Sequence, residues 1–153
     1  EKGKLIGAQG RALNKSNMRY ITVRIDDETP MFYGCERINK KRFIKVVEGP
    51  IDSLFLDNAI AMCGSHNSDV PYKNCVYILD GEPRNIQIVK KYAGLINEGK
   101  RVLFWNENFM SRGKDINEMV LNGIDIGEIE EYIEKNSKTG LTAKIALAEW
   151  RKC

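Results

Sequence analysis

Two acids stand directly at the ends of buried-looking runs: Glu48 closes FIKVV (43–47) and Asp80 closes CVYIL (75–79). Asp52 lies one helical turn beyond Glu48, and Glu82 lies two residues beyond Asp80. A third apolar run, VLFW (102–105), leads through a polar loop to Asp115. If these runs are neighbouring strands of one parallel sheet, five carboxylates converge on one edge, where open parallel sheets bind their ligands. Packed carboxylates repel one another unless they are protonated or bridged by metal. Nothing cationic of similar density is written into the same loops, so a hard divalent cation, Mg²⁺ or Mn²⁺, is the expected bridge. Such sites usually work on phosphates. Each acid also has an ordinary structural use. Asp80 or Glu82 ahead of Pro83 suits a helix N-terminus, Asp115 three residues before Glu118 reads as a capping pair, and Asp52 fits the surface of a first turn. Together, at the ends of successive strands, they favour a metal site.

Other chemistries fit less well. There is no G-x-x-x-x-G-K-[ST] phosphate loop, no G-x-S-x-G elbow and no H-E-x-x-H. A hydrolytic triad would have to use His66, the one histidine, which sits in the polar stretch SHNSD (65–69) and reads as incidental. Cys35, Cys63, Cys75 and Cys153 lie too far apart for a structural zinc site, and reduced thiols are expected. Phe55, Trp105 and Trp150 have apolar neighbours and are read as core residues rather than base-stacking platforms.

The elements that must position these acids follow from periodicity. A chain of 153 residues, 42% hydrophobic and 29% charged, can bury one domain's core. No run approaches the roughly 20 apolar residues of a membrane span. The start, Glu1-Lys2-Gly3-Lys4, has no apolar stretch of a signal peptide behind it, and the missing initiator Met suggests a fragment or a processed chain. Up to residue 42 the pattern is of short strands: 5–8 ending in a turn at 9–11, then 20–25, then 31–33. From Phe43 strands alternate with helices. The run 43–47 precedes a helix from Pro50 through Ile60, the run 75–79 precedes a helix opened by Pro83, and 102–105 is the next strand. Helices are expected over 116–122, 126–135 and 141–151. This is an α/β pattern, a small parallel sheet flanked by helices. It divides into a basic, strand-rich front (1–42), the sheet region (43–125) and C-terminal helices packed on the same core (126–153). Charge follows the division: residues 1–45 carry 11 Lys/Arg against 5 Asp/Glu, residues 46–153 carry 13 against 16. A phosphate-attracting front and a cation-holding back would produce that asymmetry.

The motifs also resemble a known family. EGPID (48–52) resembles the first motif, E-G-x-x-D, of the TOPRIM domain of topoisomerases, primases and some nucleases. Asp80-Gly81-Glu82 resembles its D-x-D motif, and Asp115-Ile116-Asn117 the later acidic motif of primases. Upstream, LIGAQGRAL, Arg19-Tyr20 and MFYGCERIN stand in the order of the lead-in to bacterial-type DNA primase catalytic cores. Within that family the stretches DGEPRN (80–85) and KDIN (114–117) look most like the primases of T-even-like bacteriophages. The resemblance implies a TOPRIM fold and synthesis of short RNA primers from ribonucleoside triphosphates on single-stranded DNA, with Mg²⁺ or Mn²⁺. It makes Glu48, Asp80 and Glu82 the catalytic, metal-site acids, Asp115 an additional ligand and Asp52 a supporting one. Arg11 and Arg19 match residues that handle phosphates or template, with Lys15 and Arg24 as further candidates, and Arg84 beside the site becomes a triphosphate contact. It further implies a replicative helicase as partner, a zinc-binding N-terminal domain elsewhere in the full-length protein, and the cytoplasm of a host cell as the place of work. Departures from the pattern are Glu82 in place of the second Asp, and Pro83-Arg84-Asn85 in place of small residues. Two other readings keep part of this picture: a TOPRIM-type nuclease with water as nucleophile, and a non-catalytic module that docks single-stranded DNA or a helicase.

Overall fold

Apolar runs without alternation need cover on both faces of a sheet, and the helices here supply it. The computed structural model describes residues 5–12, 20–63 and 70–153. Strands β1 (Gly7–Arg11) and β2 (Tyr20–Arg24) form an antiparallel pair of their own, with Gln9 opposite Thr22. Separate from them, β3 (Ile44–Val47), β4 (Ala59–Ala61), β5 (Cys75–Ile78) and β6 (Arg101–Leu103) form a parallel sheet in the order β4-β3-β5-β6. β3 and β5 are buried at every position and lie side by side at its centre.

Helix α1 (Pro50–Phe55) connects β3 to β4, and α2 (Ile86–Asn97) connects β5 to β6. A short α3 (Glu107–Met110) is followed by α4 (Ile116–Leu121), α5 (Ile126–Asn136) and α6 (Gly140–Trp150). On one face Ile44, Val46, Tyr77 and Leu79 pack against Tyr92 of α2 and Trp150 of α6. On the other, Val47, Ile78 and Leu103 pack against Met119 of α4 and Ile129 and Ile133 of α5. The exception inside β3 is Lys45, only 5% exposed, which pairs with Glu130 and donates to the carbonyl of Asp57 at 3.0 Å. Both sheet edges are closed by single bridges, Tyr33 to Ala61 and Val102 to Lys138, which leaves little edge for another chain to pair with.

The expected α/β architecture is present, and the last three helices lie within one residue of their expected bounds. Local expectations fail at five places. Gln9-Gly10-Arg11 is part of β1 rather than a turn. Residues 31–33 form only the Tyr33 bridge. The loop before Lys114 contains α3, capped by Asn106, whose side chain accepts from the Phe109 N–H at 3.1 Å. Pro83 does not open a helix; Asn85 caps α2 by accepting from the Gln87 N–H at 3.0 Å, and 80–85 stays a loop. Finally, α1 stops at Phe55 and the residues assigned to its end form β4.

The chain is already extended at Leu56 and then turns into β4 through Asn58, at φ +53°, a left-handed conformation that Asn tolerates better than most residues. Its side chain accepts from the Asn39 N–H at 2.7 Å and donates to the carbonyls of Asn39 at 3.2 Å and Phe43 at 2.7 Å. These bonds clamp the approach to β3 onto the turn into β4. Asn58→Ala is expected to cost about 2–3 kcal/mol in urea unfolding, because it strands buried backbone groups and adds strain at positive φ. Asn58→Gly should recover only the strain portion.

Candidate metal-binding site

The connection after β3 leaves toward β4 and that after β5 toward β6, so the sheet's switch point lies between these two central strands, a place where α/β sheets bind ligands. Glu48 follows β3 immediately and Asp80 follows β5 by two residues; the Asp80 N–H donates to Glu48 Oε2 at 3.3 Å. Glycines let the neighbouring loops close in. A Cβ at Gly49 would fall 2.7 Å from Asp52 Oδ2. At Gly81, whose N–H donates to the Lys114 carbonyl at 2.6 Å, a Cβ would lie 3.0 Å from Met110 Cγ. The loop carrying Lys114 and Asp115 is thereby held against Asp80. Asp115 caps α4, accepting from the Glu118 N–H at 2.8 Å, and Asp52 accepts from the Asn117 N–H of the same helix at 2.9 Å. Below them Trp105 Nε1 donates to the Leu79 carbonyl at 3.1 Å and fixes the end of β5. Glu48, Asp52, Asp80 and Asp115 thus line one pocket, over a floor that includes Val47, Ile78 and Trp105.

The pocket has an excess of negative charge. Burial pushes the Asp80 carboxyl up to about 7; Glu48 adds to the rise, while Lys114 opposes it. Burial likewise pushes Asp52 up to about 6, with the Asn117 hydrogen bond and the Arg11 charge pulling back and Asp115 pushing further. Lys114 is raised as well: burial disfavours its charge, but Asp80, Glu82 and Asp115 together outweigh it. Two lysines meet the acids directly, Lys91 of α2 on Glu48 and Lys114 on Asp80 at 3.5 Å. As the side chains stand, no three acidic, His or Cys groups among the described residues converge tightly enough to hold an ion. The donors available are all hard carboxylate oxygens, of the type that suits Mg²⁺ or Mn²⁺, and carboxyls raised in this way would be relieved by added positive charge.

Four of the five sequence-predicted carboxylates are therefore gathered in one place. Glu82 is not among the lining residues; its carboxylate accepts from Asn85 Nδ2 at 3.2 Å, although Lys114 feels its charge. The helix-start role considered for Asp80 or Glu82 falls instead to Asn85, whereas the capping role foreseen for Asp115 is present alongside its place in the pocket. Arg11 ends β1, exposed, with its charge felt at Asp52, and Arg84 is exposed on the loop after Asp80. Arg24 is engaged locally, donating to the Thr29 carbonyl at 2.8 Å. Lys15, Arg19 and His66 lie outside the described residues. The loops carry no cations at the density of the acids, as expected, but two lysines, Lys91 from α2 and Lys114 from the loop, do pair with them. Lys114 is visible in the sequence as the neighbour of Asp115, but Lys91 carries no local signal.

No protein-family model matches the chain. It is 39% identical over 155 residues to the DNA primase of Enterobacteria phage T4, a match that covers 98% of this chain and 45% of that protein. Its fold is similar to the crystal structure of a DNA primase domain from Pseudomonas aeruginosa, with a TM-score of 0.63 over 90% of this chain and 49% of that one, at 19% identity. The chain spans about half the length of each.

Proposed function

We propose that the chain, which is similar in sequence to a phage DNA primase and in fold to a primase domain, is the catalytic TOPRIM core of a primase. Its activity is the metal-dependent synthesis of short RNA primers on single-stranded DNA. The observation that carries this reading is the gathering of Glu48, Asp52, Asp80 and Asp115 at the switch point of the sheet, two of them with carboxyls pushed toward neutral pH.

Glu48 and Asp80, with Asp52 and Asp115, are the residues that would hold Mg²⁺ or Mn²⁺, and Glu82, as the counterpart of the motif's second Asp, would join them. A divalent cation there supplies charge neutralisation at a polyphosphate and acidifies a nearby hydroxyl. The protein's own share is positioning, because phosphoryl chemistry asks little covalent work of it. Arg84, exposed beside the acids, would meet the triphosphate; Arg11 and Arg19 of the basic front (1–42) would hold phosphates of the template. The sheet region (43–125) then carries the chemistry, and the helices of 126–153 brace it. Single-stranded DNA and ribonucleoside triphosphates are the substrates on this reading. A replicative helicase and a zinc-binding domain of the longer protein are its partners, in a host-cell cytoplasm. No helix among the described residues is long and apolar enough to cross a membrane.

The test is one gel, run with this chain and with its full-length parent: single-stranded DNA bearing a short annealed RNA, four ribonucleoside triphosphates and Mn²⁺. Extended RNA is expected. Shortened strands would move the protein to the nuclease class. Single-stranded DNA binding with no extension by either form would leave a docking module in place of an enzyme.

A further inference from the structure

Lys91 reaches from α2 to Glu48, 43 positions away in sequence, and Lys114 reaches Asp80 across 34. Their side chains are 46% and 42% exposed, whereas the carboxylates they touch are 22% and 23% exposed. Each pair thus has an inner anion and an outer, solvated cation. Half-exposed pairs of this kind are weak and easily exchanged. Two ammonium groups also carry the same charge as one divalent ion, so replacing them leaves the pocket's charge balance unchanged.

We infer that Lys91 and Lys114 are resident counter-cations of the acid cluster: they hold it together in the ion-free protein and yield Glu48 and Asp80 to the divalent cation. They then turn their ammonium groups to the phosphates of the incoming nucleotide. The inference rests on the proposed reading of the acids as a divalent-cation site. A lysine suits both tasks, being a point charge on a flexible four-carbon stem that can swing from carboxylate to phosphate. Both side chains are more exposed than the carboxylates they pair with, so their ammonium groups are open to a polyphosphate arriving from solvent. Lys91 and Lys114 are on this view positioning residues that compete with the ion and afterwards bind its substrate.

The two tasks predict opposite changes from one substitution. Lys91→Met or Lys114→Met should tighten Mn²⁺ binding about 3- to 10-fold, since the ion no longer has to displace a competitor. The same variants should weaken ATP binding at saturating Mn²⁺ by about 10-fold, since a phosphate contact is gone. Calorimetric titrations of the full-length protein with Mn²⁺ alone, and then with ATP, read both without requiring turnover. Lys91→Arg, which keeps the charge, should restore wild-type Mn²⁺ affinity. Unchanged or weakened Mn²⁺ binding in the Met variants would overturn the inference while leaving the metal site in place, and unchanged ATP binding would overturn the second task. If the wild type binds no Mn²⁺, or binds it no better than Glu48→Gln, the site itself has been misread and the inference falls with it.

Discussion

Glu48→Gln is expected to lower primer synthesis at least ~100-fold while leaving affinity for single-stranded DNA within about twofold, and Asp80→Asn is expected to do the same. The size follows from what is lost: a carboxylate that helps hold a divalent ion contributes several kcal/mol of charge stabilisation, and each ~1.4 kcal/mol is tenfold in rate. The sparing of DNA binding follows from position. Both acids sit at the carboxyl ends of the central strands, whereas Arg11, a candidate to hold the template, is carried by a separate two-stranded sheet that neither substitution touches. Gln can still accept the Asp80 N–H that Glu48 accepts now, so the sheet edge keeps its geometry and only the charge is removed. Rates of ribonucleotide incorporation and filter binding on the same DNA separate the two effects. Equal synthesis by either variant would mean that these acids do not hold the ion, and the reading of the site would have to be abandoned.

The acids are legible in the sequence because the runs that carry them can hardly be anything else. CVYIL has no charged residue and FIKVV only Lys45, so both read as central strands, and an acid directly behind a central strand of a parallel sheet emerges at its ligand-binding edge. What stays hidden is decided by partners distant in sequence. The run Ala59-Ile60-Ala61 looks like the end of a helix but pairs with β3 as β4, in a turn held by Asn58 bonds to Asn39 and Phe43 that no local pattern announces. Pro83 is acceptable at a helix start, but the pull of Gly81 toward Lys114 keeps that stretch a loop and passes the cap to Asn85. Lys91 sits on the flank of α2, beside the buried Tyr92, where a lysine is ordinarily solvated. Only the neighbouring strand, arriving through a crossover, gives it Glu48. Clustered carboxylates are thus legible and the Lys91 counter-charge is not, which makes the site look more strongly in need of a metal than its resting state is.

That resting state should still show its excess negative charge in unfolding measurements. Asp80 has a carboxyl pushed up to about 7 and Asp52 one pushed up to about 6, against 3.8 for an ordinary aspartate. A carboxyl raised by folding takes up a proton as the chain folds, so its contribution to stability is complete below about pH 4 and disappears as pH rises through the folded value. Between pH 5 and pH 8, in EDTA, the chain should therefore lose stability, by about 2 kcal/mol at Asp80 once the opposing Lys114 and solvent screening are allowed for. Asp57 runs the other way, its carboxyl lowered by the hydrogen bond from Arg42, but it is exposed and titrates below this window. The comparison with Asp80→Asn, rather than the wild-type slope alone, carries the test. Urea unfolding should find Asp80→Asn more stable than wild type by about 2 kcal/mol at pH 8, with the gap closing toward pH 5. Added Mn²⁺ should abolish or reverse the gap at pH 8, because only the wild type keeps the ionised acid that the ion rewards. A variant that is less stable than wild type at pH 8 without metal would show instead that the Asp80–Lys114 pair supports the fold, and that the acids are structural after all.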